Sequence, residues 1–160
     1  SGICIEPIPE KYEELIKNRK CLCINSCAYN KNDMIDFIHN TEYTEMLSGI
    51  LESYDNDHIH RIENEKKEYG GNSKILKLPC YTLSSLFEKY NIKYVDYLSI
   101  DTEGSEFEVL QGIDFSKVKI FIIGVENNYK DTFIKIHDFL INNNYTHLAS
   151  LGGDEFYHST

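Results

Sequence analysis

Three stretches of the chain are apolar at nearly every position and have the length of strands. They are Ile3, Cys4 and Ile5; Tyr94 to Ile100, interrupted by Asp96; and Lys119 to Val125. A strand covered on both faces needs side chains of this kind on both, so Tyr94–Ile100 reads as an interior parallel strand. Each run delivers an acid at its carboxyl end: Glu6, Asp101 and Glu126. Beyond Asp101, the positions of Phe107, Val109, Leu110 and Gln111 follow helical spacing. Glu103 and Glu106 fall in the expected first turn, and Gly112 stands where the helix should stop. The pattern is strand, acidic turn, helix.

Elsewhere the periodicity alternates between strands and helices. After Pro7 and Pro9, Tyr12, Leu15 and Ile16 give a helix an apolar face, and Cys21 to Asn25 reads as a strand. Met34 to His39 alternates with period two. Asp55 to Tyr69 is a charged segment, either an exposed helix or mobile, ending at Gly70-Gly71. Residues 40–74 read as an insertion that covers the site. Lys74 to Leu78 is a short strand, Thr82 to Tyr90 a helix capped by Thr82 or preceded by Tyr81, and Tyr129 to Asn142 an amphipathic helix through Phe133, Ile134, Ile136, His137, Leu140 and Ile141. Tyr145–Leu151 and Glu155–His158, joined by Gly152-Gly153-Asp154, read as an antiparallel hairpin. The class is α/β, in which chemistry collects at the carboxyl ends of strands.

The acids admit two readings. In one, Asp101 or Thr102 caps the helix while Glu103 and Glu106 complement its dipole. In the other they form a site. If the strands ending at Asp101 and Glu126 are parallel neighbours, the two acids sit side by side on one rim, about 5 Å apart at the backbone. Glu6 has two readings as well: a turn residue, or a carboxylate that accepts hydrogen bonds from a ribose.

The segments ICIEPIPEKYEELIKN, INSCAYN, VDYLSIDTEGSEFEVLQG and IIGVEN resemble, in order and spacing, the FkbM family of S-adenosylmethionine-dependent methyltransferases. The resemblance covers most of the chain and is weakest from Asn40 to Lys74. It implies a Rossmann-like class I methyltransferase sheet, mostly parallel with a C-terminal antiparallel hairpin, in a single domain over residues 1–160. It implies S-adenosylmethionine as cofactor and methylation of a hydroxyl on a sugar or other small acceptor. Glu6 matches the ribose-binding acid, and Asn25, Ser26 and Ala28 match the turn bordering the adenine. Asp101 matches the residue facing methyl donor and acceptor, while Glu103 and Glu126 match positions near the acceptor. Family members begin with a strand and a D-x-G-A-x-x-G turn; here only Ser1 and Gly2 precede the second strand. The sheet is therefore expected to lack its first strand and helix. A further N-terminal segment, or an oligomer, would complete it.

Methyl transfer is an in-line displacement, so positioning comes first. A hydroxyl acceptor must also lose a proton, which Asp101 or Glu126 can take, or the acids can hold a divalent cation such as magnesium. Two other classes remain open. A carboxylate-metal phosphoester hydrolase also sets acids at strand ends, but no lysine or arginine stands among these acids to bind phosphate. A catalytically silent methyltransferase-like binding domain would have the same fold.

Composition narrows the partners. A chain of 160 residues with 41% hydrophobic content can bury one core. The net charge of −10 disfavours nucleic acid and anionic membranes as partners. No apolar run approaches the roughly 20 residues of a bilayer span, and no secretory pattern precedes Ile3, so a cytoplasmic location is expected. The five cysteines, Cys4, Cys21, Cys23, Cys27 and Cys80, show no C-x-x-C spacing. Cys21 and Cys23 read as small apolar packing residues in a reducing compartment. His58 and His60, in a polar stretch, read as solvated rather than metal-binding.

Overall fold

The computed structural model describes residues 1–54, 56–127 and 130–160, with only the backbone described at positions 56, 57, 130 and 131. The expected helix starts at Asp55 and Tyr129, and Asn128 after Glu126, lie outside the described residues. The chain divides into two compact units, Ser1–Tyr81 and Thr82–Thr160.

In the first unit, β1 (Ile3–Ile5) leads into α1 (Pro9–Asn18), whose proline stands at the helix start, where its missing N–H is no loss. β2 (Leu22–Ile24) then pairs parallel with β1, Cys4 facing Cys23. A second sheet follows from β3 (Cys27–Ala28), β4 (Asp33–Asn40), β5 (Gly49–Ile50) and, after α2 (Asn56–Tyr69), β6 (Ser73–Tyr81). Its order is β3-β6-β4-β5. The β4–β6 ladder is antiparallel and in register from Asp33↔Cys80 to Asn40↔Ser73. Its alternation is that of a one-sided sheet. Ile35, Phe37, Leu78 and Cys80 face a core with Ile8, Cys27, Tyr29 and Ile50, while Asp36 and Lys77 pair across the outer face at 3.1 Å. The segment expected as an insertion thus begins and ends on paired positions, Asn40 and Lys74 lying at the closing end of the ladder. Asn40 is fully buried there and donates from Nδ2 to the carbonyl of Leu47 at 2.8 Å.

In the second unit, Thr82 accepts the N–H of Ser85 at 3.1 Å and caps α3 (Leu83–Lys89), as the sequence predicts. β7 (Tyr94–Ile100), α4 (Glu106–Gln111), β8 (Lys119–Glu126), α5 (Lys130–Asn142), β9 (Tyr145–Leu151) and β10 (Asp154–Ser159) follow. The sheet order is β7-β8-β10-β9, with β7 and β8 parallel and the last two strands antiparallel. Ile120, Ile123, Leu110, Ile136, Leu140 and Tyr157 are sealed in its core. Tyr145 is buried and donates to the carbonyl of Ile120 at 2.9 Å, with burial holding its hydroxyl pKa up at about 12.

The fold is mixed α/β, and two expectations need correction. Among the described residues, three strand pairings are parallel and four antiparallel, so the sheets are not mostly parallel. Hydrophobic periodicity reports which faces are covered, not the direction of the neighbouring strand. Nor is β7 interior. It stands at the edge of its sheet, with Tyr94 72% and Tyr97 51% exposed. A tyrosine fits an open strand as well as a buried one, because its ring can lie along the sheet with the hydroxyl in water. The Tyr97 ring lies across β8: a Cβ at Gly124 would come within 2.5 Å of its hydroxyl oxygen and 3.1 Å of the Phe156 ring. No helix among the described residues is long and apolar enough to cross a membrane.

Candidate functional site

The rim of the second unit is built by register. Ile100 pairs with Val125, so the next residues, Asp101 and Glu126, leave the parallel strands side by side. The chain then turns sharply: Glu103 has φ +54 and Gly104 φ +109. Glycine adopts such a backbone at no steric cost, whereas a non-glycine residue like Glu103 is strained there. The turn is held from below by Glu106, the first residue of α4 and only 4% exposed. Its Oε1 accepts the N–H of Thr102 at 2.8 Å, the hydroxyl of Thr102 at 2.9 Å and the N–H of Gly104 at 3.1 Å. A buried carboxylate is tolerable only when it is met this way, and the charge strengthens each bond.

With the turn so fixed, Asp101, Glu103 and Glu126 each bring a carboxylate oxygen to a point where all three oxygens lie within 4.8 Å of one another. Asp101 is exposed and the other two are half-buried. Like charges at this separation repel by about 1 kcal/mol per pair even with water-like screening. A cation or a shared proton relieves that repulsion. Oxygens bound to one cation at about 2.1–2.4 Å lie at most 4–5 Å apart, so the trio suits a hard ion such as magnesium.

The capping expectation is corrected here. Ser105 precedes the helix and its side chain makes no capping bond, Glu103 lies in the turn rather than in the first helical turn, and Glu106, at the helix start, bonds the preceding turn instead. The Ser105 hydroxyl is buried without a hydrogen-bond partner among the described residues. One rim acid escapes the sequence pattern: Asp154 pairs in register with Glu126, and Asn127 donates to the carbonyl of Gly153 at 2.7 Å. The glycines before Asp154 mark it as a turn residue, and only antiparallel register reveals its place.

The strand end of the first unit is built differently. Glu6 donates its N–H to Ile24 at 3.0 Å, and its Oε1 accepts the N–H of Ile8 at 2.8 Å, closing the Pro7 turn. Asn25 donates from Nδ2 to the carbonyls of Glu6 and Pro7, at 2.8 and 3.0 Å. The structure therefore brings Glu6 and Asn25 together, with Asn25 as the residue that positions the Glu6 turn. Burial raises the Glu6 carboxyl above the usual carboxylate range, and the bond from Ile8 only partly opposes it. Ser26 is 1% exposed and its hydroxyl has no hydrogen-bond partner among the described residues. Ala28 pairs with Tyr81 at the end of β3. Glu6 Oε2 and the orphaned Ser26 hydroxyl are the polar atoms at this strand end that a nucleoside would satisfy, so these residues fit the cofactor that the sequence resemblance implies.

Residues 1–147 match the methyltransferase FkbM domain family. The chain belongs to this family. No curated protein and no solved structure matches it. The FkbM match takes in every residue singled out from the sequence, Glu6, Asn25, Ser26, Ala28, Asp101, Glu103 and Glu126, whereas Asp154 lies beyond it.

Proposed function

We propose that this FkbM domain is an S-adenosylmethionine-dependent methyltransferase with a Rossmann-like class I sheet, methylating a hydroxyl of a sugar or other small acceptor. The observation that carries the reading is the convergence of Asp101, Glu103 and Glu126 at the carboxyl ends of parallel strands. S-adenosylmethionine supplies a methyl group on a positively charged sulfur. Glu6 accepts hydrogen bonds from ribose hydroxyls through Oε2 and the remaining lone pair of Oε1, and Ser26 offers the hydroxyl that has no partner among the described residues. Asn25 keeps the Glu6 turn in place.

A hydroxyl is a poor nucleophile until its proton has somewhere to go. Asp101 accepts that proton as the oxygen attacks, with the carboxylates of Glu103 and Glu126 beside it on the rim. The same three oxygens would hold magnesium, which would supply acidification of the acceptor hydroxyl. The net charge of −10 supports a small acceptor over a polyanion.

The test is methyl transfer from isotopically labelled S-adenosylmethionine to a panel of sugars and small alcohols, with and without magnesium, alongside calorimetry of cofactor binding. Label appearing on acceptor oxygen supports the reading. Cofactor binding without transfer to any hydroxyl removes the acceptor assignment, and absence of cofactor binding returns the domain to a silent binding role.

A further inference from the structure

The second concentration of reactive side chains lies on the β1–β2 pair. Cys4 stands opposite Cys23 in the parallel register, and Cys21, two residues before Cys23 at the bend leading into β2, falls on the same face by strand alternation. The sulfurs of Cys4 and Cys21 are 3.5 Å apart, and Cys23 Sγ reaches the Cys21 carbonyl at 3.6 Å. All three are partly exposed. Cys27 and Cys80 also face each other across a parallel pair, but they are 3% and 0% exposed and closed to reagents. Arg19 and Lys20 immediately precede Cys21, a cationic approach for an anionic thiol reagent. The expectation that Cys21 and Cys23 are ordinary packing residues therefore misses their neighbour, Cys4, which is distant in sequence.

We propose that Cys4 and Cys21 are a thiol–disulfide pair that closes on meeting a small disulfide such as oxidised glutathione. The Cys21 thiolate attacks one sulfur of the reagent, forming a mixed disulfide and expelling one glutathione thiolate. Cys4, as thiolate, then attacks Cys21 Sγ and expels the second. The two protons lost by the protein thiols pass through solvent to the two expelled glutathione thiolates, so two protein thiols are oxidised and one glutathione disulfide is reduced to two thiols. The sulfurs must move from 3.5 Å to a bond of about 2.05 Å, a closure that side-chain rotation and the bend at Cys21 supply. The bridge spans 17 positions, encloses α1 and fastens β1 two residues before Glu6, so the redox state of the pair governs how rigidly that strand end is held. Cys21 is the shared partner. A bond to Cys23 instead would close a strained ring within one strand.

The experiment equilibrates the full chain in glutathione buffers of increasing oxidised fraction, traps free thiols with N-ethylmaleimide, and maps the peptides by mass spectrometry. The expected result is one bridge, Cys4–Cys21, absent in Cys4→Ser and Cys21→Ser and kept in Cys23→Ser, with Cys27 and Cys80 alkylated only after unfolding. Oxidation should raise Tm by about 5 °C, reversibly with dithiothreitol. Alkylation of Cys4, Cys21 and Cys23 together in the most oxidising buffer overturns the proposal. So does a bridge involving Cys23, or a mixture of bridges matching that of the urea-unfolded chain.

Discussion

The two strand-end turns use carboxylates in opposite ways. At Glu6 one side chain is asked to do two jobs: Oε1 closes the turn through Ile8, and Oε2 is the oxygen we propose for the cofactor. At Asp101 the jobs are divided. Glu106, buried and bonded to Thr102 and Gly104, maintains the turn, and this leaves Asp101, Glu103 and Glu126 to meet one another. Division of labour allows charge to accumulate. A turn that must spend its acid on its own backbone presents little of it, whereas one secured from below by another acid brings three acids together.

The sharpest test of this division is Asp101→Asn, which keeps shape but removes charge and should slow methyl transfer about 100-fold, with Glu103→Gln affected less. Equal and mild losses at both positions, in the same assay, would return the trio to a structural role. Next in size, Glu106→Ala leaves the Thr102 and Gly104 donors without their acceptor and should lower unfolding free energy by about 2 kcal/mol in urea titrations. A change within error would mean that the turn does not depend on Glu106. Glu6→Ala, which deletes a carboxylate already half engaged, should weaken S-adenosylmethionine binding about tenfold by calorimetry. Unchanged affinity would remove Glu6 from the cofactor's contacts. The smallest effect concerns pH. Burial raises the carboxyl of Glu6 in the folded protein, so stability present while it is protonated is lost as pH rises through that elevated value. The Tm of Glu6→Gln should therefore gain on wild type by about 1–2 °C between roughly pH 4 and 7, and a flat difference would mean that the charged form is not disfavoured by folding.

Much of the fold is legible because apolar periodicity is a property of single strands. Ile3–Ile5, Tyr94–Ile100 and Tyr145–Leu151 have the bounds the sequence predicts. The adjacency of Asp101 and Glu126 follows from two apolar runs of similar length laid parallel. What escapes belongs to pairs of residues. The direction of β4 against β6, the place of Asp154 beside Glu126 and the approach of Cys4 to Cys21 each depend on register between distant segments. The exchange of roles between Glu103 and Glu106 has another cause. Both are acids near a helix start, and only the left-handed backbone at Glu103 separates the one that turns outward from the one folded under the turn.

The contact between Tyr97 and Gly124 bears on how this sequence can change over time. Any side chain at position 124 meets the hydroxyl end of Tyr97 and the edge of Phe156, so its arrival requires the tyrosine to swing off the sheet or be replaced by something shorter. Tyr97 is half exposed and free to be replaced on its own, whereas Gly124 is not. Substitution on β8 is therefore easiest after substitution on β7, a coupling imposed two residues before Glu126. Among descendants of this chain, a residue larger than glycine at 124 should occur more often where the tyrosine at 97 has already gone.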